Sequence, residues 1–430
     1  MIPETTIPET TQPIGRTKLT SGARVVTETL PDLRSVAVGF WMGTGSRDEV
    51  PTLAGASHFL EHLLFKGTER RSASIIAEAV EAVGGDMNAF TTQETTAFYV
   101  RVPHDHLELA IEILSDIVWD PALRAEEVDS ERKVILEEIR MRDDAPEDLV
   151  HDVFVAAMFP EHPIGRDVIG TPATIGAMSA AQIDDFHAAH YRPSNLVVAV
   201  AGNCHHEAVV EMVERGLGDR TGSRPARRGY EGSPAPRPLA VVTRDTEQAH
   251  VVLGMRSLSC HDEDRYALAV LNQAFGGGMS SRLFQEVREQ RGLAYSVYSY
   301  PAAFDDTGAF AVSAGTAPER VDELLGVFEA QLERLVADGG VSTRELETAK
   351  GHLTGSMALS FESSSSRMRR LGASELMMGE VLTLDELVAR TAAVTADDVA
   401  RVVERVIATE ERVLAIVGPF DEGRFSTWAG

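Results

Sequence analysis

Apolar residues return along this chain in two rhythms. Short unbroken runs, Ser35–Gly43 (SVAVGFWMG), Asn195–Ala201 (NLVVAVA), Ala249–Met255 (AHVVLGM) and Arg412–Val417 (RVLAIV), have the length and β-branched content of buried strands. Elsewhere apolar positions recur every three or four residues, the period of one helix face. Such segments are a stretch from roughly Leu53 to Phe65 containing HFLEHLLFKG, the runs His106–Val118 and Arg320–Val336, and a stretch containing LAVLNQAFGG. Two further stretches, Glu126–Ile139 and Arg344–Met357, read as charged helices.

The order of these segments repeats. Phe65 falls on Phe275 at an offset of 210, and EEVDSERKVILEEI (Glu126–Ile139) falls on RELETAKGHLTGSM (Arg344–Met357) at 218. The pattern predicts an α+β fold of two duplicated domains, each a largely antiparallel sheet with an apolar face covered by helices. Gly218–Pro238, dense in Gly, Pro, Ser and Arg, has the chemistry of a linker. The expected boundaries are a disordered tail over 1–15, a first domain over 16–217, the linker over 218–238 and a second domain over 239–430.

Composition narrows the partners. With 40 Lys+Arg against 66 Asp+Glu the formal charge is −26, which speaks against nucleic acid and fits a cationic or peptide-like partner. Two cysteines, Cys204 and Cys260, cannot build a disulfide framework and point to a reducing compartment. No apolar run approaches the roughly 18–20 residues that span a bilayer. The start of the chain has neither a basic n-region with an apolar h-region nor an Arg-rich amphipathic pattern. A cytoplasmic location without a membrane segment is therefore expected.

The duplication is chemically lopsided. Under these offsets His58, Glu61, His62 and Glu138 stand opposite Leu268, Leu271, Asn272 and Ser356. His58 and His62 are i, i+4 on a helix and share a face with Glu61 beside them, so two imidazoles on adjacent turns can reach one Zn2+ while the carboxylate activates water. A third protein ligand is sought in SERKVILEEIRMRDD, where Glu131 and Glu138 lie on one stripe, two turns apart. Glu138 is assigned as ligand and Glu131 as the carboxylate that holds a ligating histidine. Glu137, rotated by about 100°, is better used in a surface pair with Lys133. Cys204-His205-His206 with Cys260-His261 lack C-x-x-C spacing and are set aside as a structural zinc site. His187 with His190, and His104 with His106, suit surface or capping roles.

The H-x-x-E-H motif resembles that of the pitrilysin/insulinase zinc peptidases, or inverzincins, most closely the two-domain group that includes mitochondrial processing peptidase. The ligating Glu of that family follows at the same distance as Glu138, 76 residues beyond His62. The likeness runs on through GTGSRDE (Gly43–Glu49), HFLEHLLFKGT (His58–Thr68), GGDMNAFTTQETTAFY (Gly84–Tyr99), HPIGRDVIGT (His162–Thr171), YRPSNLVVAVAGN (Tyr191–Asn203) and FGGGMSSRLFQEVREQRGLAYSVYS (Phe275–Ser299). It implies His58, His62 and Glu138 as ligands of one Zn2+ per chain, Glu61 as general base and Glu131 as supporting carboxylate. It further implies Arg288 and Tyr295 as the pair that binds the substrate carbonyl and the developing oxyanion. By residue type alone, Arg288 reads as a surface helix residue and Tyr295 as strand core. Met87–Thr92 resembles the family's edge strand, with Asn88 and the backbone of Ala89 and Phe90 accepting an extended peptide. Gly276–Gly278 corresponds to a glycine-rich loop and, without G-K-[ST], is no phosphate cradle.

The resemblance thus implies a zinc endopeptidase acting on unfolded or short, basic, flexible polypeptides. Similar chains of this group pair so that the zinc site of one faces the Arg/Tyr pair of the other. A chain carrying both sets implies a homodimer with each site completed in trans. The alternative is a non-catalytic or partner-dependent subunit of a processing-peptidase-like complex.

Overall fold

The computed structural model describes residues 14–227, 229–230 and 234–428. The first half contributes strands β1 (Ile14–Lys18), β2 (Arg24–Thr29), β3 (Ser35–Met42), β4 (Asp86–Thr91), β5 (Thr96–Pro103) and β6 (Leu196–Gly202). The second contributes β7 (Leu239–Thr243), β8 (Ala249–Ser257), β9 (Ala294–Ala303), β10 (Gly308–Thr316) and β11 (Arg412–Gly418). Residues 1–13 of the expected tail lie outside the described residues, while Ile14 and Gly15, expected to belong to it, already pair with Glu28 and Thr27 in the β1–β2 ladder.

The spatial orders are β1-β2-β6-β3-β5-β4 and β7-β11-β8-β10-β9. Apart from β1, the second order repeats the first strand for strand. Each sheet is antiparallel except for one parallel pair, β2 with β6 and β7 with β11. The helices that matter most are α1 (Ala56–Leu64), α2 (Leu107–Trp119), α3 (Ala125–Asp143) and α4 (Pro146–Met158), then α5 (Arg265–Gly276), α6 (Val321–Ala337), α7 (Thr343–Ser360) and α8 (Ser364–Ala373). No described helix is long and apolar enough to cross a membrane.

One face of each sheet packs on helices of its own half. Phe40, Phe98 and Val100 meet Phe59 of α1 and Leu114 of α2, and Leu253 and Phe310 meet Leu271 of α5 and Phe328 of α6. The other face is also buried, and by the opposite half. Helix α8 lies across β2, β6 and β3, setting Met368 and Leu371 against Ala37, Trp41 and Ala199. Helix α4 lies across β7, β11 and β8, setting Val150 and Phe154 against Val252, Ala311 and Ala415. The exchange explains why β3 and β6 are buried almost throughout instead of alternating. It also explains a glycine at the same place in each central strand. A Cβ at Gly39 would stand 2.3 Å from Met368 Sδ, and one at Gly254 would stand 2.5 Å from Phe154 Cζ.

The described part of 218–238 is not a solvated tether. Arg227 Nη2 reaches the buried Asp48 carboxylate at 2.9 Å and Arg224 Nη1 at 3.3 Å, and Arg237 N–H donates to Ala157 O. Between the halves, the fully buried Arg47 takes Glu94 at 2.6 Å and Asp306 at 2.7 Å, one carboxylate from each half. Removing either partner of such a pair leaves an uncompensated buried charge, so the seam is held in one arrangement.

Candidate metal centre

Helix α1 starts at Gly55, whose φ of +93° and whose closeness to Ile169 O and Gly170 Cα leave no room for a side chain. The N–H groups of Gly55 and Ser57 donate to the two oxygens of buried Glu49 at 2.8 and 2.7 Å. This carboxyl therefore satisfies two donors that a helix start leaves unpaired. Burial pushes the Glu49 carboxyl up to about 8, against the pull of those donors.

Phe59, Leu60, Leu63 and Leu64 bury one side of α1, leaving His58, Glu61 and His62 half-exposed on the other. Helix α3 packs against α1 and brings up Glu131 and Glu138. His62 Nδ1 meets Glu131 Oε1 at 3.1 Å, and Lys66 Nζ meets the other Glu131 oxygen at 2.5 Å. The Nε2 atoms of His62 and His58 lie 3.6 and 3.9 Å from Glu138 Oε2.

The chemistry of this donor set fits a metal. With Nδ1 hydrogen-bonded to a carboxylate, a His62 ring in its neutral form keeps its proton there and turns a lone pair on Nε2 toward Glu138. Glu138 Oε2 is shut off from solvent and has no hydrogen-bond partner. A buried anionic oxygen facing an imidazole lone pair is repulsive unless a cation stands between them. Burial, reinforced by His62, pushes the His58 imidazole down to about 4, so it is neutral and ready to ligate. Two donors at about 2.0–2.1 Å from a tetrahedral Zn2+ stand roughly 3.3 Å apart, close to the separations seen here.

Glu61 points out of the ligand triangle. Its Oε2 accepts a hydrogen bond from Thr91 Oγ1 at 2.5 Å, and burial raises its carboxyl above the ordinary range, with Thr91 and His62 opposing. Thr91 ends β4, the edge strand of the first sheet opposite β1. Ala89 N–H donates to Asn88 Oδ1 at 2.8 Å, so it faces away from β5, toward the free edge. Phe90 turns its ring the other way, edge-on to Trp41 at 5.4 Å, and serves the strand as an anchor.

Arg288 and Tyr295 come together at the edge of the second sheet. The β9–β10 ladder slips between Ala314 and Thr316, so that Tyr295 and Ser296 together face Gly315. This bulge throws the Tyr295 ring outward, 80% exposed, in place of the core position its residue type suggests. The Arg288 guanidinium lies 4.4 Å from the ring centroid and Nη1 donates to Tyr295 O at 3.0 Å. Neither residue makes a hydrogen bond or ion pair with the α1–α3 cluster. At the opposite positions of the second half, Leu268 and Leu271 are core, Asn272 accepts from Ser299 Oγ, and Ser356 Oγ donates to His352 O.

Some residues take other places than their types suggested. His187 is half-buried and donates to Val118 O at 2.8 Å, and His190 is buried and stacks on Phe186, so both are built into the packing of the first half. Glu137 pairs with Arg140 instead of Lys133. Glu49, Lys66 and Thr91 were not singled out from the sequence. Glu49 sits in a quoted motif, but its partner lies across a loop that periodicity does not describe.

Sequence models of two related domains match the chain: Insulinase (Peptidase family M16) over residues 24–172 and Peptidase M16 inactive domain over residues 177–353. A Streptomyces coelicolor protein named as an uncharacterized zinc protease is 47% identical over 428 residues, covering 96% of this chain and 91% of its own. An uncharacterized zinc protease of Bacillus subtilis is 39% identical, covering 93% and 97%. In fold, the chain is similar to a crystal structure of a protease from Helicobacter pylori, with a TM-score of 0.85 at 24% identity over 95% of this chain and all of that one.

Proposed function

The chain belongs to the insulinase family, peptidase family M16, and from that premise we propose that it is a zinc-dependent endopeptidase of unfolded or short polypeptides. The observation that carries this reading is the unpaired Glu138 oxygen facing two imidazole nitrogens, with Glu61 beside them. His58, His62 and Glu138 would hold the ion, and Glu131 would fix the His62 tautomer. Once bound, zinc supplies Lewis acidity toward water and the scissile carbonyl.

The remaining work falls to the chain. Glu61, oriented by Thr91, takes the proton of the attacking water and returns it to the leaving amine. The exposed N–H of Ala89 on β4 offers the substrate backbone a strand to pair with, and Asn88 Oδ1 must release that N–H as the peptide docks. Backbone pairing reads main chain, which supports broad specificity, and the charge of −26 supports basic substrates.

The guanidinium of Arg288 and the phenol of Tyr295 are the donors for the oxyanion. Because they make no bond to the α1–α3 cluster of their own chain, we read the working form as a homodimer in which each zinc centre receives this pair from the other copy. Mixing His62→Ala with Arg288→Ala under conditions of subunit exchange then restores part of the lost activity; mixtures as inactive as their parents count against the dimer.

The principal test is cleavage of a mixture of flexible peptides, followed by mass spectrometry, with zinc measured on wild type and Glu61→Gln. The expected result is that both hold zinc and only wild type cuts, with turnover falling about 10²–10⁴-fold in the variant. Two zinc-loaded proteins that are equally inert would favour a subunit that depends on a different partner chain.

A further inference from the structure

A second cluster of ligating atoms lies away from α1 and α3. Cys260 and His261 follow β8, Asp305 sits at the tip of the β9–β10 hairpin, and one ligand atom from each lies within 4.8 Å of the others. His261 Nε2 and Asp305 Oδ1 are 2.8 Å apart, both on half-exposed side chains that an ion can reach from solvent. We propose that Cys260, His261 and Asp305 form a second, exposed site for a zinc-type divalent cation.

The backbone around the cluster is fixed without help from the three side chains. Cys260 N–H donates to Phe304 O at 2.9 Å, and Asp305 N–H donates to Glu94 Oε2 at 3.0 Å. The two loops are thus docked already, and the sulfur, imidazole and carboxylate are left to one another, His261 holding Asp305 in a pair that an ion would replace.

The donor set selects the ion. A sulfur and an imidazole with a single carboxylate suit zinc-type metals and disfavour magnesium and calcium, which prefer all-oxygen shells. Half-exposure leaves a fourth position for water. Glu94, which holds the Asp305 backbone, also pairs with Arg47 at the seam, so an ion here ties two turns of the second half to the hairpin that follows β4. The cysteine pairing considered from the sequence fails for a physical reason. His206 is spent on Thr17 and Thr27, and Cys204 lies in the core of the first half. Asp305, some 45 residues from Cys260, gave no spacing signal.

Cobalt separates this site from the catalytic one, because only a thiolate gives a near-ultraviolet sulfur-to-cobalt band and the α1–α3 cluster has no sulfur. The full chain, metal-free and reduced, is titrated with Co2+. Two equivalents bind in wild type and the band appears; it persists in Cys204→Ser and in the double variant His58→Ala/His62→Ala. Cys260→Ser abolishes the band and binds one equivalent. His261→Ala or Asp305→Asn weakens the second equivalent by more than roughly tenfold, since losing even an outer partner of a ligand costs that much. Matching metal-free melting curves establish that the variants fold, and Asp305→Asn carries the test if Cys260→Ser does not. No thiolate band in folded wild type at millimolar Co2+, or a band that survives Cys260→Ser, overturns the site. Either result leaves the catalytic reading untouched.

Discussion

The two halves of this chain repeat five strands in one spatial order, yet they spend the same helix face differently. In the first half that face of α1 carries two imidazoles and a carboxylate, half-exposed and partly unpaired. In the second, α5 puts Leu268 and Leu271 into the core and Asn272 into a closed hydrogen bond. A buried leucine stabilises by about 1.5–3 kcal/mol, whereas a half-buried histidine or glutamate gives up much of that and adds a desolvation cost. The second half therefore shows what the scaffold does when only packing decides. The first shows how far it tolerates departure where chemistry is placed, and the comparison can be pushed until it breaks.

The largest effect should come from writing the second half's residues into the first. His58→Leu/Glu61→Leu/His62→Asn abolishes zinc binding and peptide cleavage, yet melts above metal-free wild type; a lower melting temperature would show that the polar face stabilises α1. Next is the helix start. Glu49→Ala leaves the Gly55 and Ser57 N–H groups without their acceptor, so about 1–3 kcal/mol of stability is lost. Zinc retention falls with it, and the exchange of those two amides, followed by NMR, accelerates.

The crossing glycines give a smaller and unequal pair. Gly254→Ala meets the Phe154 ring and Phe310 O, neither of which yields, and costs about 1–3 kcal/mol. Gly39→Ala meets chiefly the flexible Met368 side chain and falls at the low end, so denaturant midpoints rank the two. Smallest is a pH effect confined to the second half. Burial would raise the Glu345 carboxyl, but Arg282 and Ser342 outweigh it and hold it down to about 2. A depressed carboxylate contributes stability that is present above its unfolded value and is lost as pH falls toward 2. Glu345→Gln should flatten the acid limb of the melting curve between about pH 4.5 and 2.

What was legible in the sequence depended on local geometry. His58 and His62 share a face because four residues nearly close one turn, and Glu131 and Glu138 do because seven nearly close two. The duplication showed itself through matching offsets. The reciprocal crossing of α4 and α8 did not, because an apolar run looks the same whichever half covers it. Arg224 and Arg227 looked like solvated linker charges until Asp48 was placed beneath them. Tyr295 looked like core because a bulge is a property of two strands, and one strand's sequence does not contain it.

The crossing helices also bear on synthesis. Helix α4 emerges long before the sheet it must cover, and α8 emerges only after the whole first sheet has left the ribosome. Until Met368 arrives, the face formed by Ala37, Trp41, Ala97 and Ala199 waits bare, a surface that invites self-association in any nascent or truncated chain. A product released before α8 would hold every residue of the candidate zinc centre and still lack the cover that keeps its sheet monomeric. The second half, which also carries Arg288 and Tyr295, thus supplies the cover that the first sheet needs.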